Sequence, residues 1–458
     1  MMRALVAWAA ALALLLPGFA RGADAPALRI WWEQGASRAE DAALAALIAR
    51  FEARARVKVE LSLFGAQDLL QRLDRALQAG EPPDLAFGNQ LDLQANALWA
   101  YEHRLEDLSD LIEPMRSRFD PVALSTTFLY DKVRQARGFH AFALRQQAVR
   151  IHYWKDMLAQ AGYGERDIPR QWEGWWDFWC ARVQPAYRAA SGSAVFALGL
   201  PMGLDSGEAA QTFLAFLDAY GVQLVDAFGK LRFDPTAVRV GLLAALRSYT
   251  ALYTRGCTPP SARKWGDADN DVAFLNRNVL VTPEAGASLL ARVLEDADDP
   301  ALPPERRAQA KADASARIAV IGWPDRPDGA RMPVRMAVKA GVVFQDARNK
   351  ARARQFVRFV LEDANLSAYV EASQGRWFPV MKAAQQAPFW QRDALRQQIY
   401  RLFSAGAEPY SFVTDPRFTP LMRENVWARA LHRIIDDQLP VEQAVDELIA
   451  RLRRAAEP

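Results

Sequence analysis

LRIWWEQGASRAEDAALAALIARFEARARVKVELSLFGAQDLLQRLDRALQAGEPPDLAFGNQ, residues 28–90, is the stretch that decides the fold. The run LRIWW (28–32) is short and apolar, hence a buried strand. Ser37-Arg38-Ala39-Glu40 fits a capping box, in which Ser and Glu side chains satisfy the first N–H groups of a helix. Leu44, Leu47, Ile48 and Phe51 follow at helical spacing. Val57, Val59, Leu61 and Leu63 alternate with polar residues, which predicts a second strand. Residues 67–77 read as a helix that Gly80 ends, Glu81-Pro82-Pro83 as a turn, and residues 84–87 (DLAF) as a third strand. The order β-α-β-α-β implies a parallel sheet with helices on its faces. Such sheets bind ligands beyond the carboxyl ends of their strands. Those ends carry Trp32-Glu33-Gln34-Gly35, Phe64-Gly65 and Gly88-Asn89-Gln90.

The chain has 458 residues, too many for one ordinary core and about right for two lobes. Its first 22 residues read as an export signal. Arg3 supplies the positive charge, and residues 4–16 form an unbroken apolar run of 13, shorter than the roughly 20 that span a membrane. Pro17 and Gly18 break the run, and Ala20-Arg21-Gly22 offers small residues for cleavage before Ala23. A cut after Ala25 is the alternative. With no Cys after the apolar run, a lipid anchor is not expected, and the mature chain should be free outside the cytoplasm. Loss of Arg3 and Arg21 leaves 55 basic against 54 acidic residues. That balance argues against a nucleic-acid partner, which wants a clustered basic excess. The basic stretch at 348–358 has the apolar spacing of a helix with a solvated face. Cys180 and Cys257 are the only cysteines. In an oxidising compartment they form either one disulfide or two buried free thiols, and sequence leaves both open.

Further along, residues 151–179 (IHYWKDMLAQAGYGERDIPRQWEGWWDFW) hold five of the 14 tryptophans. They read as two helices around a Gly/Pro turn. Trp172, Trp175, Trp176 and Trp179 stand at i, i+3, i+4 and i+7 and so share one face, which favours core packing over a binding platform. Strands are expected at 148–153, 194–200, 278–282, 318–321 and 340–344, and helices at 209–217 and 238–253. From residue 349 onward the chain reads as mostly helical.

The order and wording of these segments resemble the extracellular solute-binding proteins of ABC importers, in the branch that carries sugars and oligosaccharides. PPDLAFGN (82–89), HRLEDLSDLI (103–112), IHYWKDMLAQAGY (151–163), IPRQWEGWWDF (168–178), DVAFLNRNVLVTPEAG (271–286) and the helix-to-loop stretch ending GRWFPV (375–380) carry the likeness. It spans about residues 28–452. Trp154 and Gln171 depart from the family's capping Asn and Thr, which weakens the cap at Gln171. The resemblance implies an α/β fold of two lobes, each a mainly parallel sheet flanked by helices, with a ligand cleft between them. Carried over, lobe one would be 26–140 plus 277–325 and lobe two 141–276 plus 335–458. Hinge crossings would fall near 138–148, 273–277 and 324–335. The implied role is a periplasmic, monomeric subunit that captures a sugar or oligosaccharide and delivers it to the importer's membrane permease. It would do no chemistry and need no cofactor.

Sugars present apolar C–H faces and rings of hydroxyls, so aromatic rings, carboxylates, amides and Arg suit them. Trp32 and Glu33 follow the first strand, although alternation sends at most one of Trp31 and Trp32 inward. Asn89 and Gln90 follow the third strand. Tyr153 matches a family tyrosine, Trp265 lies in a polar loop, and Trp377 lies where the family brings a loop to the cleft. Asp205, Glu284 and Arg335 are weaker candidates; for the last two, structural salt bridges are the competing reading. Asp267, Asp269 and Asp271 imitate the start of a calcium loop, but Val272 replaces its required Gly and Asn278 its final Glu. The four histidines lack ligand spacing, and no phosphate-binding or nucleophile motif is present. Two alternatives stay open: a non-sugar solute such as a polyamine or phosphorylated polyol, and a secreted glycan-active enzyme.

Overall fold

The computed structural model describes residues 27–226, 231, 235–286, 288–404 and 406–456. The expected export signal at 1–22 lies outside the described residues. Thirteen strands occur among them: β1 (Leu28–Glu33), β2 (Val59–Phe64), β3 (Leu85–Phe87), β4 (Phe128–Asp131), β5 (Ala136–Phe139), β6 (Phe142–Gln147), β7 (Val149–Trp154), β8 (Phe196–Leu198), β9 (Val279–Ala285), β10 (Ile318–Ile321), β11 (Arg335–Val343), β12 (Phe378–Pro379) and β13 (Glu408–Pro409). They build two main sheets. One runs β12-β6-β11-β3-β1-β2 with β13 on β11, the other β10-β7-β9-β8, and β4 and β5 pair as a hairpin. Helices flank both sheets, giving the two-lobed α/β architecture.

The opening β-α-β-α-β unit folds as its pattern predicts. β1 lies between β2 and β3 and is parallel to both. Ser37 caps the helix Arg38–Ala55, its hydroxyl accepting from the Glu40 N–H at 3.2 Å. The expectation of mainly parallel sheets needs correction, because both are mixed. β11 is antiparallel to β3 and β6, and β7 is antiparallel to β9 and β10. Direction of entry explains this. β1, β3 and β6 all end at the boundary between the sheets, so a strand returning from the other lobe must run the opposite way. β11 enters first-sheet territory in that manner, and β7 leaves the boundary in the second.

Pairing also divides the chain differently from the expected boundaries. β6 belongs to the first sheet, so the chain first crosses between Gln147 and Val149. β9 and β10 flank β7 in the second sheet, not the first, because the helix Asp269–Leu275 turns through Arg277 (φ 58°) straight into β9. No crossing therefore occurs at 273–277. After the 322–334 connection, β11 and β12 return to the first sheet. The helix Lys350–Val360 packs there too, with Phe356 and Phe359 on Phe51 at 5.1 and 5.4 Å. The C-terminal helices Val426–Ile435 and Val441–Ala456 go back to the second lobe, where the Trp427 ring meets Phe213 at 6.1 Å. Thus 277–325 and much of 335–404 exchange places relative to the expectation.

The tryptophan stripe is buried in the second lobe. Trp175 and Trp176 meet edge to face at 4.6 Å, Trp172 meets Phe216 at 5.0 Å, and Trp179 meets Tyr153 at 5.6 Å. Gln171 caps that helix after all, its Oε1 accepting from the Gly174 N–H at 2.9 Å. Trp154 caps nothing; its ring stacks on Phe274, with the Arg277 guanidinium 3.9 Å from the ring centre. Cys180 and Cys257 are joined in a disulfide across 5.1 Å between Cα atoms. It ties the helical turn at Phe178–Val183 to the edge of β8, whose Leu198 N–H donates to the Cys257 carbonyl.

Candidate ligand-binding site

The ends of β1, β3 and β6 meet the ends of β9 and the start of the helix Gly207–Ala219 where the two sheets face each other. On the first lobe, the Glu33 carboxylate accepts from the Asn89 backbone N–H and side-chain amide, both at 2.5 Å. Burial raises the Glu33 pKa, with the Asn89 hydrogen bonds offsetting part of the rise. Asn89 Oδ1 accepts from Arg145 of β6 at 2.7 Å. Arg145 also donates to Glu40, and Arg376 donates to the other Glu40 oxygen at 2.8 Å. Burial alone would raise the Glu40 pKa, but the Arg376 and Arg145 charges outweigh it and hold the carboxyl at about 2. Glu40 thus serves as helix-start residue and as a bridge between two guanidiniums. The Arg145 guanidinium is held over the Phe87 and Trp377 rings, 4.9 and 5.3 Å from their centres.

On the second lobe, Ser206 caps the helix Gly207–Ala219 and its hydroxyl donates to Asp267 at 2.8 Å. The same Asp267 oxygen accepts from the Glu208 N–H. Asn425, held at φ 45°, donates to the Leu204 and Ser206 carbonyls at 3.0 and 2.9 Å and so fixes the loop ahead of this helix. Beside Asp267 stands a group of three further acids, Glu208, Asp271 and Glu284, whose carboxyls hydrogen-bond among themselves. Burial raises all three pKa values, the neighbouring carboxylates add to the effect, and Glu284 is pushed up to about 8. Ser288 donates to Glu284.

The lobes touch across this boundary. Gln90 donates to Asp267 at 3.2 Å, Gln67 donates to the Asp205 carbonyl at 3.1 Å, and Arg423 pairs with Asp74 at 2.9 Å. Gln67, Gln90, Asp205, Ser206, Gly207 and Asn425 line a cavity of about 50 Å³, room for a few waters. The arrangement is a closed cleft walled by amides, carboxylates and guanidiniums, groups that exchange hydrogen bonds with hydroxyl-rich solutes.

Of the residues picked from sequence, Glu33, Asn89, Gln90, Asp205 and Glu284 stand at this boundary. Trp377 lies behind it, under Arg145 and against Tyr369. Trp265 is half-buried in the adjoining loop, and its carbonyl accepts from the Gly203 N–H. Three residues stand elsewhere. Trp32 is 1% exposed and stacks on Phe87 at 4.5 Å, because β1 sends Leu28, Ile30 and Trp32 to its core face. Tyr153 lies four residues along β7 from the boundary, packed on Trp179. Arg335 chelates Asp218 and also reaches Glu408, a structural ion-pair set. Sequence reasoning missed Arg145 and Arg376, read Glu40 only as a capping residue, and set Asp267 and Asp271 aside as a failed calcium loop. Their dense acidic spacing was a usable signal. Arg145 had a weaker one, as a charged residue inside the run FALRQQ.

The fold and the cleft define a solute-binding class of protein. A family model described as "Bacterial extracellular solute-binding protein" matches residues 46–398, and the chain belongs to that family. Solved structures of the same fold include an ABC transporter solute-binding protein from Thermotoga lettingae bound with alpha-D-tagatose. It is 19% identical over 94% of this chain and 100% of that one, with a TM-score of 0.74. A sugar transporter from Arthrobacter chlorophenolicus with bound laminaribiose is 14% identical over 94% and 100%, with a TM-score of 0.73. The Thermus thermophilus maltotriose binding protein bound with maltotriose is 19% identical over 94% and 100%, with a TM-score of 0.66. No curated protein matches the sequence.

Proposed function

We propose that this protein is the periplasmic substrate-binding subunit of an ABC importer, taking a sugar or oligosaccharide into the cleft and presenting the closed form to the membrane permease. One observation carries the reading: strand ends of the first sheet bring Glu33, Asn89 and Arg145 to one side, the start of the helix Gly207–Ala219 holds Asp267 on the other, and Gln90 bridges them. A site made of planar donors and acceptors on two separable walls suits a polyhydroxylated ligand that both walls must grip. The sugar-bound relatives of the same fold support this choice of ligand. The role is capture without turnover, by a monomer. A saccharide library measured by thermal shift tests it. A ligand at 100 times its Kd adds about 2.7 kcal/mol of stability to the folded state. The expected result is a raised melting point with at least one saccharide and no hydrolysis product. Turnover of a glycan would point instead to an enzyme.

A further inference from the structure

The helix Gly207–Ala219 touches the first lobe at both of its ends. Nine of its 13 residues are buried, with Phe213 and Phe216 packed on Trp172, Tyr249 and Trp427. It therefore moves with the second lobe, as a rod about 20 Å long. Its start stands at the cleft. There Gln90 donates to Asp267 at 3.2 Å and Gln67 to the Asp205 carbonyl at 3.1 Å, each a single bond from a neutral amide. Its last turn carries Asp218, whose side chain is 14% exposed. Both Asp218 oxygens accept from Arg335, Oδ1 from Nη2 at 2.9 Å and Oδ2 from Nε at 3.0 Å. Arg335 is the first residue of β11 in the first sheet, directly after the 322–334 connection, and its Nη1 donates to Glu408 of β13 at 3.0 Å. A bidentate contact between two charged groups is the stronger kind, its hydrogen bonds each worth about twice a neutral one. The planar fork fixes an orientation as well as a distance. The pair also stands where the chain changes lobes. Trp323, at the other end of the 322–334 connection, donates its indole N–H to the Val149 carbonyl at 3.1 Å, which ties that connection to the first crossing. A second ion pair between the lobes, Arg423 with Asp74, has its arginine in the segment that returns from β13 to the second lobe, two residues before Asn425 grips the Leu204 and Ser206 carbonyls.

We propose that the Arg335–Asp218 ion pair is the joint about which the two walls turn, which makes Arg335 a positioning residue for ligand capture although it stands away from the cleft. This rests on the capture reading above and names where its motion is centred. Single amide bonds at the cleft end of the rod give way before a bidentate ion pair at the other end, so the rod swings from Asp218. The joint confines the swing to one path. Glu408 and the pairing of β11 with β13 fix the guanidinium on the first lobe, and the packed helix fixes the carboxylate on the second. Without the pair the lobes keep their covalent links and lose a contact that orients them.

The experiment reads the distance between the lobes in the full mature chain, with no sugar added. Spin labels are placed through Gln71→Cys on the first lobe and Val272→Cys on the second, both exposed positions. The native cysteines are bonded to each other and stay unlabelled. Double electron–electron resonance then gives the distribution of distances. The expected result is one narrow peak in the parent and a distribution at least about twofold wider in Arg335→Ala. Arg335→Lys keeps the charge, and its width should lie nearer the parent's than the Ala variant's. Gln67→Ala with Gln90→Ala should lengthen the mean distance and leave the peak narrow, because the joint stays. Circular dichroism checks that the variants fold, and Asp218→Asn, for which the same widening is expected, carries the test if Arg335→Ala does not fold. An Arg335→Ala distribution as narrow as the parent's overturns the inference. So does an Arg335→Lys distribution as wide as that of Arg335→Ala, which would place the effect in packing. A widened peak in the Gln67 and Gln90 variant also overturns it, because the joint would then lie at the cleft. Sugar capture fails on a different result, a saccharide panel with no binding, so the two failures are told apart.

Discussion

Glu284 shows how much one residue's surroundings decide. In the folded chain its carboxyl titrates near 8, against an ordinary value of 4.5, because it is buried and has carboxyl neighbours. The folded state therefore holds a proton that the unfolded state has lost, and stability falls with rising pH across that interval. The contribution is fully present below about pH 4.5 and gone above about pH 8. Thermal melts of the unliganded protein between pH 5 and 8 should show a falling midpoint, and Glu284→Gln should flatten that slope. An unchanged slope in the variant would remove Glu284 as its source. Glu40 acts in the opposite sense. Its folded value of about 2 gives stability above pH 4.5 that is lost as pH falls through 2. Glu40→Ala leaves the buried Arg145 and the half-buried Arg376 without their carboxylate and should cost about 3–5 kcal/mol, read by chemical denaturation. Gly203 answers to contact distance alone. A Cβ there would stand 2.3 Å from the Trp265 carbonyl oxygen, so Gly203→Ala must push apart the loop that carries Asp267. A loss of about 1–3 kcal/mol is expected. At this scale the sequence was a partial guide. Asn89, Gln90 and Glu33 were legible because strand ends place them. Arg145 and Arg376 were not, because their partner Glu40 comes from a helix start more than a hundred residues before Arg145 and nothing local marks the meeting.

At the scale of elements, periodicity was the reliable signal. The strand β2, the helix Arg38–Ala55 and the capping Ser37 all follow from alternation or 3.6-residue spacing. β6 escaped notice because all six of its residues are buried, polar and apolar alike, so no alternation survives. The tryptophan stripe was legible in its role as well as its spacing. Trp176 packs on Trp175, Phe216 and Trp323, and Trp176→Ala should cost about 3–5 kcal/mol through the cavity it leaves. If denaturation shows a loss under 1 kcal/mol, the stripe does not hold this lobe. The Cys180–Cys257 bond closes a long loop, with a sequence separation of 77. Replacing both cysteines by Ser should lower stability by about 2–5 kcal/mol, most of it through the unfolded chain's regained freedom.

For the molecule as a whole, sequence reached the two-lobed class and stopped short of how the chain is shared between the lobes. The reason is that the direction in which a segment enters a sheet is a property of the boundary crossings. β9 looks the same in sequence whether it joins β1 or β7. The crossings matter for the proposed function because, in that reading, they are the covalent links about which the two walls part to admit a ligand. The Gln90 contact with Asp267 is one that the proposed closure would make. The central claim is that these two walls together grip a saccharide. Isothermal titration of the purified protein with a saccharide panel, repeated on Gln90→Ala with Asp267→Asn, tests it most directly. One binding site per chain, and a loss of tenfold or more in affinity in the variant, is the result expected. Saccharide binding untouched by the double substitution, or none across the panel, would contradict it.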